Sequence, residues 1–164
     1  MTERYPAETL DESDDDGTIV HNVNTLRSTV VGRKIVSAEK RDVHALMKAL
    51  GRPTGYWGSD EGLVLTLDNG TQVLLRDTSD CCAYTSLKGF WIDPASVEHV
   101  ITGVGTTEGY TTWHIYADMG DIMRLTVGWS CGNPFYYGYG FDIEVIPLVI
   151  DAEVIAEDQR ALEA

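Results

Sequence analysis

The residues with the clearest chemical potential are carboxylates and thiols near the middle of the chain. Asp77, Asp80, Cys81 and Cys82 lie close together, and Cys131 follows much later. Carboxylates and thiolates bind metal ions, and a thiolate beside a histidine is a nucleophile. Zinc-binding cysteines are usually about two to four residues apart, whereas Cys81 and Cys82 are adjacent. We therefore expect no metal, no cofactor and a buried thiol, with a thiol or metal site as the open alternative.

Residues 128–132, Gly-Trp-Ser-Cys-Gly, match the G-x-S-x-G motif of serine hydrolases. In those enzymes the serine lies on a turn between a strand and a helix, and the catalytic histidine comes later in the chain. Here Asn133-Pro134 follows, which cannot continue as a helix, and every histidine precedes Ser130. We interpret the match as coincidental and predict no catalytic serine.

A segment rich in tyrosine and glycine follows, and it is the most distinctive candidate for a binding surface. Tyrosine gives a large contact area with few rotatable bonds, which suits recognition of another protein. The alternative is that these rings cover the edge of the sheet, and for two earlier aromatic residues packing over the core is favoured. The candidate interaction residues are Asn133, Tyr136, Tyr137 and Tyr139, with the earlier pair Tyr56 and Trp57.

The element that must position these residues is a β-hairpin over residues 63–75. Apolar side chains alternate along both arms, and Asp68-Asn69-Gly70 supplies the turn. A three-residue loop pairs Leu65 with Val73 and separates an apolar face from a more polar one, which a two-residue loop does not. Gly70 then takes the left-handed conformation of a bulged turn.

Periodicity predicts two short helices and several further strands. Apolar spacing from Val43 predicts a helix from Asp42 to Gly51, and a second helix is predicted from Asn24 to Val31. Sequential hairpins predict an α+β fold, a mostly antiparallel sheet with one or two short helices. The other strands are expected at 34–39, 97–104, 110–117, 122–129 and 141–145, with a hairpin turn at 118–121.

The charge is large, negative and concentrated near the ends of the chain. The 164 residues carry a formal charge of −14, and residues 1–16 alone contain seven acids against one arginine. We predict a disordered acidic tail over residues 1–20, a single α+β domain over 21–150 and an acidic tail over 151–164. Such a surface repels nucleic acid and anionic membranes, so neither is an expected partner.

The sequence also predicts a cytoplasmic location. Nothing at the N-terminus resembles a signal peptide, and no apolar run reaches the roughly 20 residues that cross a bilayer. The cysteine number is odd and two cysteines are adjacent, which argues against a disulfide framework. We therefore expect reduced thiols in a cytoplasm.

Several short motifs occur in an order that resembles a known group of proteins. Residues 32–39 and the hairpin precede Asp80-Cys81-Cys82, and Trp129 to Asn133, Tyr136-Tyr137 and Phe141 follow. This order is similar to an uncharacterised family of small proteins, common in actinobacterial phages, with an Asp-Cys-Cys motif and a later Trp…Asn-Gly-Tyr-Tyr segment. The chain departs from that pattern at Ala83, where the family usually has an acid, and at Pro134-Phe135 after the asparagine. The resemblance implies a phage origin and no particular reaction.

These features predict a phage-encoded interaction protein that binds and modulates a host protein and is not an enzyme. One alternative is a nucleic-acid mimic, whose carboxylates imitate phosphates in a basic host groove. Acids gathered near the chain ends weaken it, because a mimic needs charges at fixed spacing. The other alternative is an enzyme that uses Cys81 or Cys82 with a metal or as a thiol. The identity of the partner and the oligomeric state do not follow from the sequence.

Overall fold

The computed structural model describes residues 4–10, 18–51, 61–79, 84–130 and 141–146. All strand pairs within these residues are antiparallel, which confirms the predicted α+β class. The elements in chain order are α1 (Thr18–Val30), β1 (Ile35–Asp42), α2 (His44–Ala49), β2 (Glu61–Leu67), β3 (Gln72–Arg76), β4 (Thr78–Ser79), β5 (Tyr84–Ile92), β6 (Gly103–Thr107), β7 (Thr112–Ala117), β8 (Gly120–Ser130) and β9 (Asp142–Ile146).

The strands form two sheets that share one large core. The first sheet has the order β1-β2-β3-β9, and the second has the order β4-β5-β8-β7-β6. Apolar side chains from both sheets and from α1 meet in this core, where burial out of water is the main stabilising contribution. Its fully buried members include Ile19, Leu65, Trp113, Ile115 and Leu125.

The central hairpin joins β2 and β3 in the predicted register. Leu65 lies opposite Val73, and the Leu67 N–H donates to the Thr71 carbonyl oxygen at 2.9 Å. This bond closes the predicted three-residue loop. Gly70 has a φ of 82°, the left-handed conformation that glycine adopts without steric cost.

The second face of the hairpin is also buried. Val64 and Leu74 pack with Met47 of α2 and Ile146 of β9 in a second, smaller core. A helix over this face explains why β2 and β3 carry apolar residues at consecutive positions. The hairpin is therefore the middle of a sheet covered on both faces, and it does not present one polar face to solvent.

The helices follow the apolar spacing, but one begins earlier than predicted. Helix α2 lies within the predicted range but begins at His44 and not at Asp42, because Asp42 is the last residue of β1 and its carboxylate accepts the His44 N–H at 2.9 Å. Gly51 follows the helix with a φ of 69°. Helix α1 starts at Thr18 and not at Asn24, because the buried stripe already begins at Ile19. The remaining members of this stripe are Val23, Leu26 and Val30.

The start of one strand and the length of one turn need correction, and the predicted hairpin between β7 and β8 is confirmed. Strand β6 begins at Gly103 and not at residue 97, because Asp93 accepts hydrogen bonds from Ala95 and Ser96 that hold a turn first. The β7–β8 turn has two residues and not four, since Ala117 pairs directly with Gly120.

Residues 4–10, although within the predicted disordered tail, lie against the second sheet. Tyr5 and Glu8 make side-chain hydrogen bonds to that sheet, and Leu10 packs against the large core. Residues 1–3, 11–17 and the predicted C-terminal tail lie outside the described residues. None of the helices described is long and apolar enough to cross a membrane.

Candidate functional site

Most of the residues singled out from the sequence lie outside the described residues. Trp129 is the exception: it lies on β8, packs against the large core and donates its indole N–H to the Gly109 carbonyl oxygen at 2.9 Å. Its contacts are those of a structural residue. The residues outside are Tyr56, Trp57, Asp80, Cys81, Cys82, Asn133, Tyr136, Tyr137 and Tyr139, together with Cys131.

The strand ends beside the two motif segments are adjacent in the second sheet. The backbone of Tyr84 pairs with Ser79 on one side and with Ser130 on the other. The strand ends that precede the Asp-Cys-Cys segment and the Tyr/Gly segment, Ser79 and Ser130, therefore both lie beside Tyr84. The two segments are far apart in the sequence, and only the strand register shows that the strand ends beside them are neighbours.

Asp77 is a structural acceptor in the described arrangement. Its Oδ1 accepts the Leu87 N–H at 3.1 Å, which ties the segment after β3 to β5. Burial raises the pKa of Asp77, while the hydrogen bond from Leu87 and the charge of Lys40 oppose that shift. No group of three or more His, Cys, Asp and Glu able to hold a metal ion occurs among the described residues.

Among the described residues, a dense set of polar contacts surrounds Asp121 on the face of the second sheet that is turned away from the large core. Strands β6, β7 and β8 contribute Thr107, His114, Asp121 and Arg124 to it, and Tyr5 arrives from the N-terminal segment. We call these five residues the outer-face cluster. It is built from three strands and a distant segment, so only the tertiary fold assembles it.

Asp121 accepts hydrogen bonds on both of its carboxylate oxygens. Oδ2 accepts from Nδ1 of His114 at 2.8 Å and from Nε of Arg124 at 2.8 Å, and Oδ1 accepts from the Tyr5 hydroxyl at 2.6 Å. The Thr107 hydroxyl lies 2.7 Å from Nε2 of His114. The Asp121 side chain is only 6% exposed, so these contacts replace the water it has lost.

The cluster keeps Asp121 ionised. Burial opposes the charge, but the hydrogen bonds from Tyr5, His114 and Arg124 outweigh it and lower the pKa of Asp121. The pKa of the Tyr5 hydroxyl shifts in the opposite direction. Burial, followed by the hydrogen bond to Asp121, raises the pKa of Tyr5.

The hydroxyl, imidazole and carboxylate of the cluster are connected as in an acid–base triad. An ionised Asp121 only accepts, so Nδ1 of His114 donates to it, and the Thr107 hydroxyl contacts Nε2 on the opposite side of the ring. In this structure the Tyr5 ring covers the face of the imidazole. The arrangement therefore links three strands and fixes the orientation of His114, and no substrate reaches that face of the ring while Tyr5 is in place.

Tyr5 fits a space that the sheet leaves open for it. Its ring stacks on His114 with the centroids 4.0 Å apart and an interplanar angle of 19°, and Tyr116 touches its edge at 5.5 Å. Gly105 on β6 lies beneath it. A Cβ atom at Gly105 would be 2.7 Å from the Tyr5 Cβ, so a larger residue there would displace the tyrosine.

Glu8 binds the turn between β6 and β7. Its carboxylate oxygens accept the N–H groups of Gly109 and Tyr110 at 2.7 and 3.0 Å. Glu108, Gly109 and Tyr110 all have positive φ values, of 57°, 67° and 62°, and such a turn aims successive amides at one anion. Positive φ at two non-glycine residues costs energy, and strain of this kind often marks functional positions.

An exposed aromatic residue borders the cluster. Trp91 on β5 is 45% exposed, and the Arg124 guanidinium carbon lies 4.6 Å from the centre of its ring. Trp91 and Arg124 also lie directly opposite each other on β5 and β8. Because Asp121 holds the other side of Arg124, the guanidinium is fixed over the indole. We call this pair the Trp–Arg patch.

Reasoning from the sequence missed both the cluster and the patch. On β7, Thr112, His114 and Tyr116 alternate with the core residues Trp113, Ile115 and Ala117, and this alternation was the available signal for a second, more polar face. Nothing in the sequence indicated that Tyr5 or Glu8 would reach that face, since they precede their partners by more than a hundred residues.

Comparison with family models places the chain in a family. The model of a domain of unknown function (DUF7448) matches residues 28–143. The chain belongs to the DUF7448 family. Comparisons with curated proteins and with solved structures found no match. The DUF7448 match includes the sheet residues of the outer-face cluster but neither Tyr5 nor Glu8, so the cluster joins the family domain to a segment before it.

Proposed function

We propose that this protein is a phage-encoded interaction protein that acts in the host cytoplasm by binding a host protein and modulating it. The observation that carries the proposal is the Trp–Arg patch. Tryptophan, arginine and tyrosine dominate the energetics of protein–protein interfaces, and the patch combines a half-exposed tryptophan with an arginine held over its ring. The phage origin and the host rest on the sequence resemblance.

The patch is pre-organised for binding. Arg124 donates to Asp121 at 2.8 Å, and its guanidinium carbon lies over the Trp91 ring at 4.6 Å from the ring centre. Ordering a long side chain on association costs about 0.5–1.5 kcal/mol, and here the protein has already ordered the arginine. The partner that fits offers an apolar pocket for the indole with a carboxylate at its rim for the guanidinium.

The charge of the chain supports this interpretation over the nucleic-acid mimic. The described residues contain 13 acidic and 10 basic side chains, while the whole chain has 26 and 12. The described sheets and helices are therefore nearly balanced in charge. A mimic needs phosphate-like charges at fixed spacing, so its carboxylates would have to lie in the segments outside the described residues.

The test is capture of a host protein from lysate with four full-length chains. Trp91→Ala removes the anchor, and Met119→Ala, which alters an apolar side chain that is 79% exposed in the neighbouring turn, is the matched control. Tyr137→Ala tests the segment predicted from the sequence. We expect the wild type and Met119→Ala to retain one specific partner, and Trp91→Ala to weaken that complex about 30-fold or more.

Two results would count against the proposed surface. Retention of the partner by folded Trp91→Ala, together with its loss by Tyr137→Ala, would move the interface to the Tyr/Gly segment. Loss of capture at high salt by every chain, without any effect of Trp91→Ala, would favour the mimic, because screening weakens exposed charge interactions most.

A further inference from the structure

The N-terminal segment is held on the sheet in the manner of a bound peptide. Residues 4–10 form no helix or strand, and no main-chain to main-chain hydrogen bond joins them to the sheets among the described residues. Side chains attach these residues to the sheet: the Tyr5 ring and hydroxyl, the Glu8 carboxylate and the packing of Leu10. Side-chain anchors set in separate sites are typical of peptide recognition.

The Tyr5 and Glu8 side chains are the two polar anchors, and each has its own site on the second sheet. The phenol site consists of Gly105 below the ring, His114 stacked on it and Asp121 at its hydroxyl. It accepts a flat ring that donates a hydrogen bond. The ring alone would suit phenylalanine as well, but a buried carboxylate without its donor is costly, so the site selects tyrosine.

The carboxylate site lies three residues further along the segment. The amides of Gly109 and Tyr110 bind the Glu8 carboxylate, and the Tyr110 hydroxyl donates to the Glu8 carbonyl oxygen at 3.0 Å. This last bond fixes the backbone of the segment as well as its side chain. Together the two sites define a pattern, a tyrosine followed three residues later by a glutamate.

We propose that this surface is a peptide-binding site for a Tyr-x-x-Glu segment of a protein partner, occupied in the isolated chain by residues 5–8. The residues between the segment and α1, Asp-Glu-Ser-Asp-Asp-Asp-Gly, contain no apolar side chain that would anchor them to the core. Residues 5–8 can therefore leave the sheet while α1 stays on the core through its own buried stripe from Ile19 to Val30. A partner segment with the same tyrosine and glutamate then makes the same contacts with the sheet.

The proposal extends the proposed function, because it names the segment that the partner contributes. The peptide site also adjoins the Trp–Arg patch, since Asp121 contacts both Tyr5 and Arg124. A partner that enters the phenol site therefore lies beside Trp91. The peptide experiment below needs no host partner, so its failure is distinguishable from a failure of the capture experiment.

The test uses a full-length chain whose own segment can no longer compete. Tyr5→Ala combined with Glu8→Gln removes both anchors and leaves the sheet residues unchanged. The probe is a fluorescein-labelled peptide of residues 1–12, MTERYPAETLDE, and binding is followed by fluorescence anisotropy. We expect saturable binding to the double variant and at least about tenfold weaker binding to the wild type, whose tethered segment acts at an effective concentration in the millimolar range.

Three controls locate the binding. Peptides with alanine in place of the tyrosine, or glutamine in place of the second glutamate, are expected to bind at least about tenfold less tightly, because each removes one charge-assisted contact. Gly105→Ala added to the double variant is expected to block the peptide, because its Cβ would lie 2.7 Å from the position of the tyrosine Cβ. In amide NMR spectra the peptide is expected to shift the resonances of Gly109 and Tyr110.

Several results would overturn the proposal. They are no saturable binding to the folded double variant, equal binding of the alanine peptide, or unchanged binding after Gly105→Ala. If circular dichroism shows the double variant to be unfolded, the same peptide is titrated against Glu8→Gln alone. That chain retains one anchor, so the two-anchor peptide is expected to displace its segment, and failure to bind would refute the peptide site.

Discussion

Asp121 is the residue on which the outer-face cluster depends, and its replacement by asparagine gives the sharpest test of the structure. Asp121 accepts from Tyr5, His114 and Arg124 while only 6% of its side chain is exposed. An asparagine has one acceptor oxygen and an amide that only donates. Whichever way the amide is turned, the carboxylate charge is lost and one side of the network must rearrange.

The expected cost follows from the individual contacts. A hydrogen bond to a charged group contributes about 1.5–3 kcal/mol, whereas an ion pair with a solvent-exposed partner contributes about 0–1 kcal/mol. The Arg124 side chain is 51% exposed, so most of the loss comes from His114 and Tyr5, and the amide recovers part of it. We expect Asp121→Asn to lower the free energy of unfolding by about 2–4 kcal/mol, or roughly 4–16 °C in Tm for a chain of this size.

The pH dependence identifies the cause of this loss. Because the native contacts lower the pKa of Asp121, its stabilisation is present above the ordinary carboxyl value of about 3.9 and is lost as the pH falls through the lowered native value. Urea unfolding of both chains between pH 3 and pH 7 should therefore show a difference that is large at pH 7 and shrinks below about pH 4.

Asp118→Asn, in the exposed turn before β8, is the matched control. It is expected to change stability by less than about 0.5 kcal/mol. An Asp121→Asn effect as small as that of the control would show that the cluster does not stabilise the fold. A large effect that is independent of pH would show that the carboxylate charge is not the reason.

Two further predictions concern buried groups elsewhere. Asp77→Asn is expected to raise the urea midpoint at pH 7 but not at pH 3, because burial raises the pKa of Asp77 and its protonated form, which the fold favours, is lost as the pH rises. The asparagine amide oxygen still accepts the Leu87 N–H. A lower midpoint at pH 7 would contradict this prediction. Leu74→Ala is expected to cost about 2–5 kcal/mol in urea unfolding, since it opens a cavity beneath α2. The exposed Val145→Ala is its control, and equal effects of the two would show that the second hairpin face is not buried.

The sequence alone determined part of the local structure of this protein. The hairpin register, the left-handed Gly70, helix α2 and the β7–β8 hairpin were predictable, because each depends on residues a few positions apart. Alternation selects a strand face, apolar spacing selects a helix face, and Asn-Gly favours a tight turn. The early start of α1 was missed because its polar positions obscured a stripe that begins at Ile19.

The site was decided by the tertiary structure. Tyr5 and Asp121 are separated by 116 positions, and no local pattern links a tyrosine near the N-terminus to an aspartate on a strand. Their contact exists because the sheet brings β6, β7 and β8 side by side and Gly105 leaves room for a ring. A lone histidine on an outward strand position gives no sign of its partners. The order of the strands in the second sheet brings together residues that lie far apart in the sequence.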